Sequence, residues 1–199
     1  MGLNEHMLNL FDGMPSIIPV PQELPPDIPV VTLRSEKHGY TCNISRSRID
    51  LIYSRPNDEK PNSEVFRDFN LKVLAFTKYV CARHDVIRFG LVARYFRKDS
   101  NAVDTLKSKF FSSRVKKVCE LGLRYNEKST HRGHEINDVV EISANQLLFD
   151  GKTFDGILIQ RDINNAPDPS KELTASELEA ISSVLAKRVS EAAIEEILS

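Results

Sequence analysis

The chain of 199 residues has no tryptophan, three cysteines, eight glycines and three methionines. Three cysteines, Cys42, Cys81 and Cys119, cannot make a disulfide framework, and no CxxC or zinc-ligand rhythm connects them. Each stands in an apolar-patterned stretch, so buried, reduced thiols in a cytosolic protein are expected. The chain also lacks an apolar run near the roughly 20 residues that span a bilayer. No basic region of a signal peptide opens it, and His6 stands where the myristoylation pattern needs Ser or Thr. The expectation is a cytoplasmic protein without a membrane segment, of prokaryotic type. With 41% hydrophobic and 28% charged residues, the composition is that of globular material able to bury a core without staples.

Charge of one sign is missing by region. Residues 1–33 hold four acidic side chains and no Lys or Arg; residues 34–134 hold 22 Lys and Arg against 11 Asp and Glu; residues 135–199 hold 5 against 13. A near-neutral total of −1 therefore hides a basic middle between acidic ends. Either the acidic ends fold back and neutralise the middle, or the middle is a surface for an anionic partner.

The first 29 residues read as an arm. Leu3, Met7, Leu10 and Phe11 fall at helical spacing before Gly13, which predicts a short amphipathic helix over 3–12. Six of the ten prolines follow by residue 29 and impose an extended path. The arm either lies on its own core or docks Leu3, Met7, Leu10 and Phe11 into a partner's groove.

Residues 30–199 read as one α+β domain. Strands are predicted at 30–35, 39–45 and 47–54, then a helix over 63–83 with Phe66, Phe69, Val73, Phe76, Thr77 and Val80 inward. A strand at 86–97 and a helix near 101–112 follow. Strands at 117–126, 136–148 and 154–164 precede a helix from Thr174, where Thr174 to Glu177 form a capping box and Leu178, Ile181, Leu185 and Val189 face inward. The layout βββα, βα, βββα suggests two pseudo-repeated halves, 30–85 and 115–199, and a largely antiparallel sheet with helices packed on one face.

An echo links two strands: Gly90-Leu91-Val92-Ala93-Arg94-Tyr95 and Gly122-Leu123-Arg124-Tyr125. Alternation puts the glycines and arginines on one face and the leucines and tyrosines on the other. The outer face is expected to carry Arg88, Val92, Arg94, Phe96, Glu120 and Arg124, with Arg48, Asp50, Gln160 and Asp162 from other strands. Bare glycines let another backbone approach, and guanidinium forks suit carboxylate or phosphate. Cross-strand ion pairs on a solvated face are the plainer account. Arg88, Arg94 and Arg124 join the arm's apolar residues as partner-binding candidates.

Other motifs carry less. His131-Arg132-Gly133-His134-Glu135 is read as an exposed turn, since it lacks the helical context of a zinc motif. Asp150-Gly151-Lys152 is a turn signal and no GxSxG occurs. No catalytic residue, metal ligand or cofactor is assigned. The reading is a non-catalytic binding protein, an accessory or regulatory subunit that contacts another protein or itself. The alternative is a nucleic-acid-associated protein using Arg97, Lys98, Lys107, Lys109, Arg114, Lys116 and Lys117 with interleaved aromatics. A metal-dependent hydrolase is the third reading.

Overall fold

A computed structural model describes residues 2–19, 23–55, 60–111 and 117–199. The chain forms two compact units, residues 1–84 and 85–199, each with its own four-stranded antiparallel sheet. An α+β class with antiparallel sheets is what alternation and helix placement predict. One domain over 30–199 is the expectation from sequence; the two compact units meet at 84/85, and each holds a hydrophobic cluster.

In the first unit, helix α1 (Leu3–His6) leads to strand β1 (Ser16–Ile17). Strands β2 (Val31–Ser35), β3 (Tyr40–Ile44) and β4 (Ile49–Tyr53) form a meander, and helix α2 (Asn62–Cys81) follows. Sheet order is β1-β2-β3-β4. The predicted helix over 3–12 is a single turn. Leu8 and Asn9 take positive φ (58° and 55°) and turn the chain, while Asn4 clamps the loop by accepting from Phe11 N–H and donating to Phe11 C=O, both at 2.9 Å. The turn sends Met7, Leu10 and Phe11 into the core with Tyr40 and Cys42.

The second unit opens with strand β5 (Gly90–Lys98) and helix α3 (Ala102–Phe110). A long meander of β6 (Gly122–His131), β7 (His134–Phe149) and β8 (Lys152–Asn165) follows. Helix α4 (Ala175–Leu185), a 3-10 turn (Ala186–Val189) and helix α5 (Glu191–Leu198) close it. Sheet order is β5-β8-β7-β6. Each hairpin turns on two left-handed residues. Arg132 and Gly133 (φ 50° and 80°) join β6 to β7, and Asp150 and Gly151 (φ 50° and 69°) join β7 to β8. Such mirror-image turns match the strands' right-handed twist. The capping box is formed: Glu177 N–H donates to Thr174 Oγ1 at 3.2 Å and Thr174 N–H to Glu177 Oε2 at 2.9 Å.

The core of this unit is built on isoleucine. Ile136, Ile142, Ile157, Ile159 and Ile163 are each at most 1% exposed, and Leu106, Ile181, Ile194 and Leu198 come from the helices. β-branched side chains suit strands covered on one face by helices. A three-strand meander followed by a helix thus occurs in both units, with strands of 5 residues in one and 10 to 16 in the other.

Candidate functional site

The outer face of the second sheet assembles four strands into rows. Register pairs Arg94 with Gln160, Gln160 with Glu141, and Glu141 with Arg124. One row across the sheet therefore reads Arg94, Gln160, Glu141, Arg124, its arginines on opposite edge strands three strand spacings apart, about 14 Å. Arg94 Nε donates to Gln160 Oε1 at 2.6 Å, and Arg124 Nε to Glu141 Oε1 at 2.7 Å. Both arginines are exposed. The next row is Val92, Asp162, Val139, Asn126, and the one beyond it Gly90, Asn164, Asn137, Lys128. In these rows Asn126 donates to Asn137, Asn137 to Asn164 and Asn164 to Asp162. The hydrogen-bonded amides hold one another in place, and Val92, 49% exposed, stands beside them.

This is the face the glycine-arginine echo predicts, with Gly90, Arg94, Gly122 and Arg124 on it and Leu91, Tyr95, Leu123 and Tyr125 turned inward. Tyr95 donates from its hydroxyl to the Val189 carbonyl at 2.8 Å, which ties β5 to the 3-10 turn. Burial, followed by the charge of Glu191, pushes the Tyr95 phenol up. Arg88 is exposed just before β5. Arg48 and Asp50 do not join this face: they pair with each other at 3.1 Å in the first unit. Glu120 precedes β6 and is exposed.

The arm's candidates do not form an outward surface. Met7, Leu10 and Phe11 are 3%, 8% and 4% exposed within their own unit, and Leu3 packs against the same cluster. The turn at Leu8 and Asn9 brings them into the unit's own core, so the groove they fill is their own. His6 joins in, its Nε2 lying 3.1 Å from the Ala75 carbonyl of α2.

The basic set splits. Arg114 and Lys116 lie outside the described residues. Arg97 pairs with Glu195 of α5 at 3.8 Å, Lys98 lies 3.9 Å over the Phe154 ring, and Lys109 bonds the carbonyls of Leu198 and Ser199. Lys107 is half-buried on α3, and Lys117 is exposed. Phe110, Phe111 and Tyr95 pack against the core. Acidic α5 therefore does fold onto part of the basic middle, and most of the interleaved aromatics face away from a stacking surface.

The cysteines differ from one another. Cys42 is fully buried, and burial with the charge of Asp50 pushes its thiol up to about 12. Cys81 is half-buried, and Cys119, expected inside, is exposed just before β6. The histidine turn is a tight hairpin in which His131 and His134 are cross-strand partners and His134 is buried. Among the described residues, no three His, Cys, Asp or Glu side chains are grouped to hold a metal ion.

One charged cluster escapes the motif search. Asp138, 1% exposed, receives Arg161 Nε and Nη2 at 2.8 Å each and Arg188 Nη1 at 3.0 Å. Arg161 Nη1 also donates to the Arg188 carbonyl at 2.7 Å. Burial alone would raise the Asp138 carboxyl, but hydrogen bonds and charge from Arg161 and then Arg188 outweigh it and hold the group below the usual carboxylate range. The cluster joins β7, β8 and the 3-10 turn inside the unit. Alternation could have found it: Asp138 sits between Ile136 and Val140, and Arg161 between Ile159 and Ile163, opposite charges in the apolar register of two strands.

Fold and surface define an α+β protein of two antiparallel-sheet units, the second exposing an arginine-flanked sheet face. No protein-family model matches the chain, and no curated protein or solved structure is similar to it. No helix of the described residues is long and apolar enough to cross a membrane.

Proposed function

We propose that the chain is a non-catalytic, cytoplasmic binding protein, an accessory or regulatory subunit whose outer sheet face in the second unit receives a protein partner. The observation that carries this reading is the row Arg94, Gln160, Glu141, Arg124 beside the exposed Val92. Each arginine spends its Nε on the sheet, which fixes the guanidinium plane and leaves the fork's remaining donors available to a carboxylate on the partner. Side chains already held in position lose less conformational entropy on binding. The hydrogen-bonded amides and Val92 offer the mixed polar and apolar surface typical of non-obligate interfaces.

The test is the double substitution Arg94→Ala with Arg124→Ala in the full chain. Proteins copurifying with the wild-type chain are compared with those retained by the variant, and stability is measured in parallel. The expected outcome is loss of a specific copurifying protein with the melting temperature nearly unchanged. Binding that survives the double substitution removes this face from the proposal. An affinity for oligonucleotides that falls steeply with salt would replace it with the nucleic-acid reading.

A further inference from the structure

The β7–β8 hairpin is longer than the sheet it belongs to. On one side β6 pairing begins at Gly122 opposite Ser143, and on the other β5 pairing ends at Lys98 opposite Gly156. Pairs Gln146–Asp155, Leu147–Phe154, Leu148–Thr153 and Phe149–Lys152 continue beyond both flanking strands as a projecting two-stranded arm. An isolated two-stranded ribbon is marginal in water, and this one exposes its apolar side chains, with Leu147 38%, Leu148 71% and Phe149 45% accessible.

The two edges of the arm are not equivalent. On the β8 edge, Asp99 N–H donates to the Asp155 carbonyl at 3.1 Å and Lys98 covers the Phe154 ring. The β7 edge has no strand beside residues 145–149 among those described. Ala144 N–H donates sideways to the Leu121 carbonyl at 3.0 Å, so the alternation of backbone directions aims the N–H and C=O of Gln146 and Leu148 off the same edge. Gln146 N–H is held by the side chain of Asn145 at 2.8 Å. Free edges are normally guarded by charge or proline. Residues 142–149 contain neither.

We propose that this edge is a self-association site on which a second copy of the chain docks by antiparallel pairing of residues 145–149. The occupant follows from charge and symmetry. A neutral edge leaves a charged strand's side chains desolvated without counterparts, whereas an identical edge matches it. A two-fold axis at Leu147 sets Gln146 opposite the second copy's Leu148, so the Leu148 N–H and the Gln146 carbonyl meet twice. On pairing, the Asn145 amide gives up Gln146 N–H to the incoming Leu148 carbonyl. Leu147 meets its own copy, and no like charges oppose each other because Asp150 and Lys152 lie beyond the paired segment. The same edge is used on both copies, so the two-fold contact closes as a dimer instead of propagating as a fibre. The site is separate from the arginine row, and the double arginine substitution should leave it intact.

Sedimentation velocity of the full chain over a concentration series tests the idea. A monomer–dimer equilibrium is expected, and Leu148→Pro should raise its dissociation constant by about tenfold or more, since two intermolecular hydrogen bonds are lost. Proline fits here because Leu148 N–H is not used in the hairpin's own ladder. Leu147→Cys in a Cys119→Ser background should give a covalent dimer on mild oxidation, with paired Cα atoms about 4.5 Å apart in a non-hydrogen-bonded pair. Thr153→Cys on the other edge should not. The cysteine result decides the matter should the proline variant fail to fold. A wild-type chain that stays monomeric throughout overturns the proposal, as does a dimer indifferent to Leu148→Pro, or equal crosslinking from both edges.

Discussion

The two units solve the same problem, covering one face of a four-stranded antiparallel sheet, with unequal means. In the first, strands of two to five residues are backed by α2, none of whose 20 residues is fully buried, and the core is completed by Met7, Leu10 and Phe11 from the arm. In the second, strands of nine to 16 residues carry a layer of isoleucines, interrupted by Asp138 and Arg161, with three helices in the same unit. A short sheet presents too few inward positions to make a core of its own, so it recruits the chain that precedes it. A long sheet fills its core from its own strands and has room left for a charged cluster. Of the two places expected for the arm, its own core or a partner's groove, Met7, Leu10 and Phe11 occupy the first.

That contrast is broken most severely at Asp138. Asp138→Ala leaves the Arg161 guanidinium, whose side chain is 13% exposed, without its carboxylate, and is expected to cost the second unit about 3 kcal/mol or more. Denaturant unfolding should register the loss, and a change below about 1 kcal/mol would mean that Arg161 finds another partner or water. The pH dependence has a definite sign. The Asp138 carboxyl is depressed in the folded state, so its contribution is complete above the ordinary carboxylate pKa of 3.8 and is lost as pH falls through the lower folded value. Wild type should therefore lose stability in acid more steeply than Asp138→Asn.

Met7→Ala examines the other unit. Met7 is 3% exposed, and its truncation should cost about 2 kcal/mol through lost burial and a cavity. Amide exchange would show whether the loss is local. Faster exchange confined to β2–β4 and α2 supports a core built with the arm, while uniform acceleration across residues 85–199 would contradict the separation of the two cores.

Legibility in the sequence followed the strength of local signals. The two-residue turns at Arg132-Gly133 and Asp150-Gly151, the Thr174 cap and the inward stripes of β5 and β6 were readable because turn chemistry and alternation are properties of neighbouring residues. Helix α5 and strand β1 were not, since eight and two residues carry too little periodicity. The row Arg94, Gln160, Glu141, Arg124 depends on the register of four strands. The echo locates its two ends and alternation puts Gln160 on the same face, whereas Glu141 is found only from the register. Cys119 was misplaced because its apolar neighbours suggested an inward strand, whereas β6 begins only at Gly122. The division at 84/85 has no Pro-Gly linker to announce it.

The smallest expected effect compares two ion pairs on opposite faces of one sheet. Arg124 and Glu141 meet at 2.7 Å, closer than the 2.8 Å of Arg161 and Asp138, yet their side chains are 63% and 47% exposed against 13% and 1%. Distance alone would rank them as equals. Solvent does not: an exposed pair exchanges hydration for contact at little net gain and is screened by salt, whereas removing one member of a buried pair strands a desolvated charge. A double-mutant cycle on Arg124→Ala and Glu141→Ala should give a coupling of at most about 1 kcal/mol that shrinks as salt is raised. The same cycle on Arg161 and Asp138 should give a larger coupling that salt barely moves. Equal couplings, or an outer pair insensitive to salt, would mean that the arginine row is covered in solution, and the face assigned to a partner would then be engaged already.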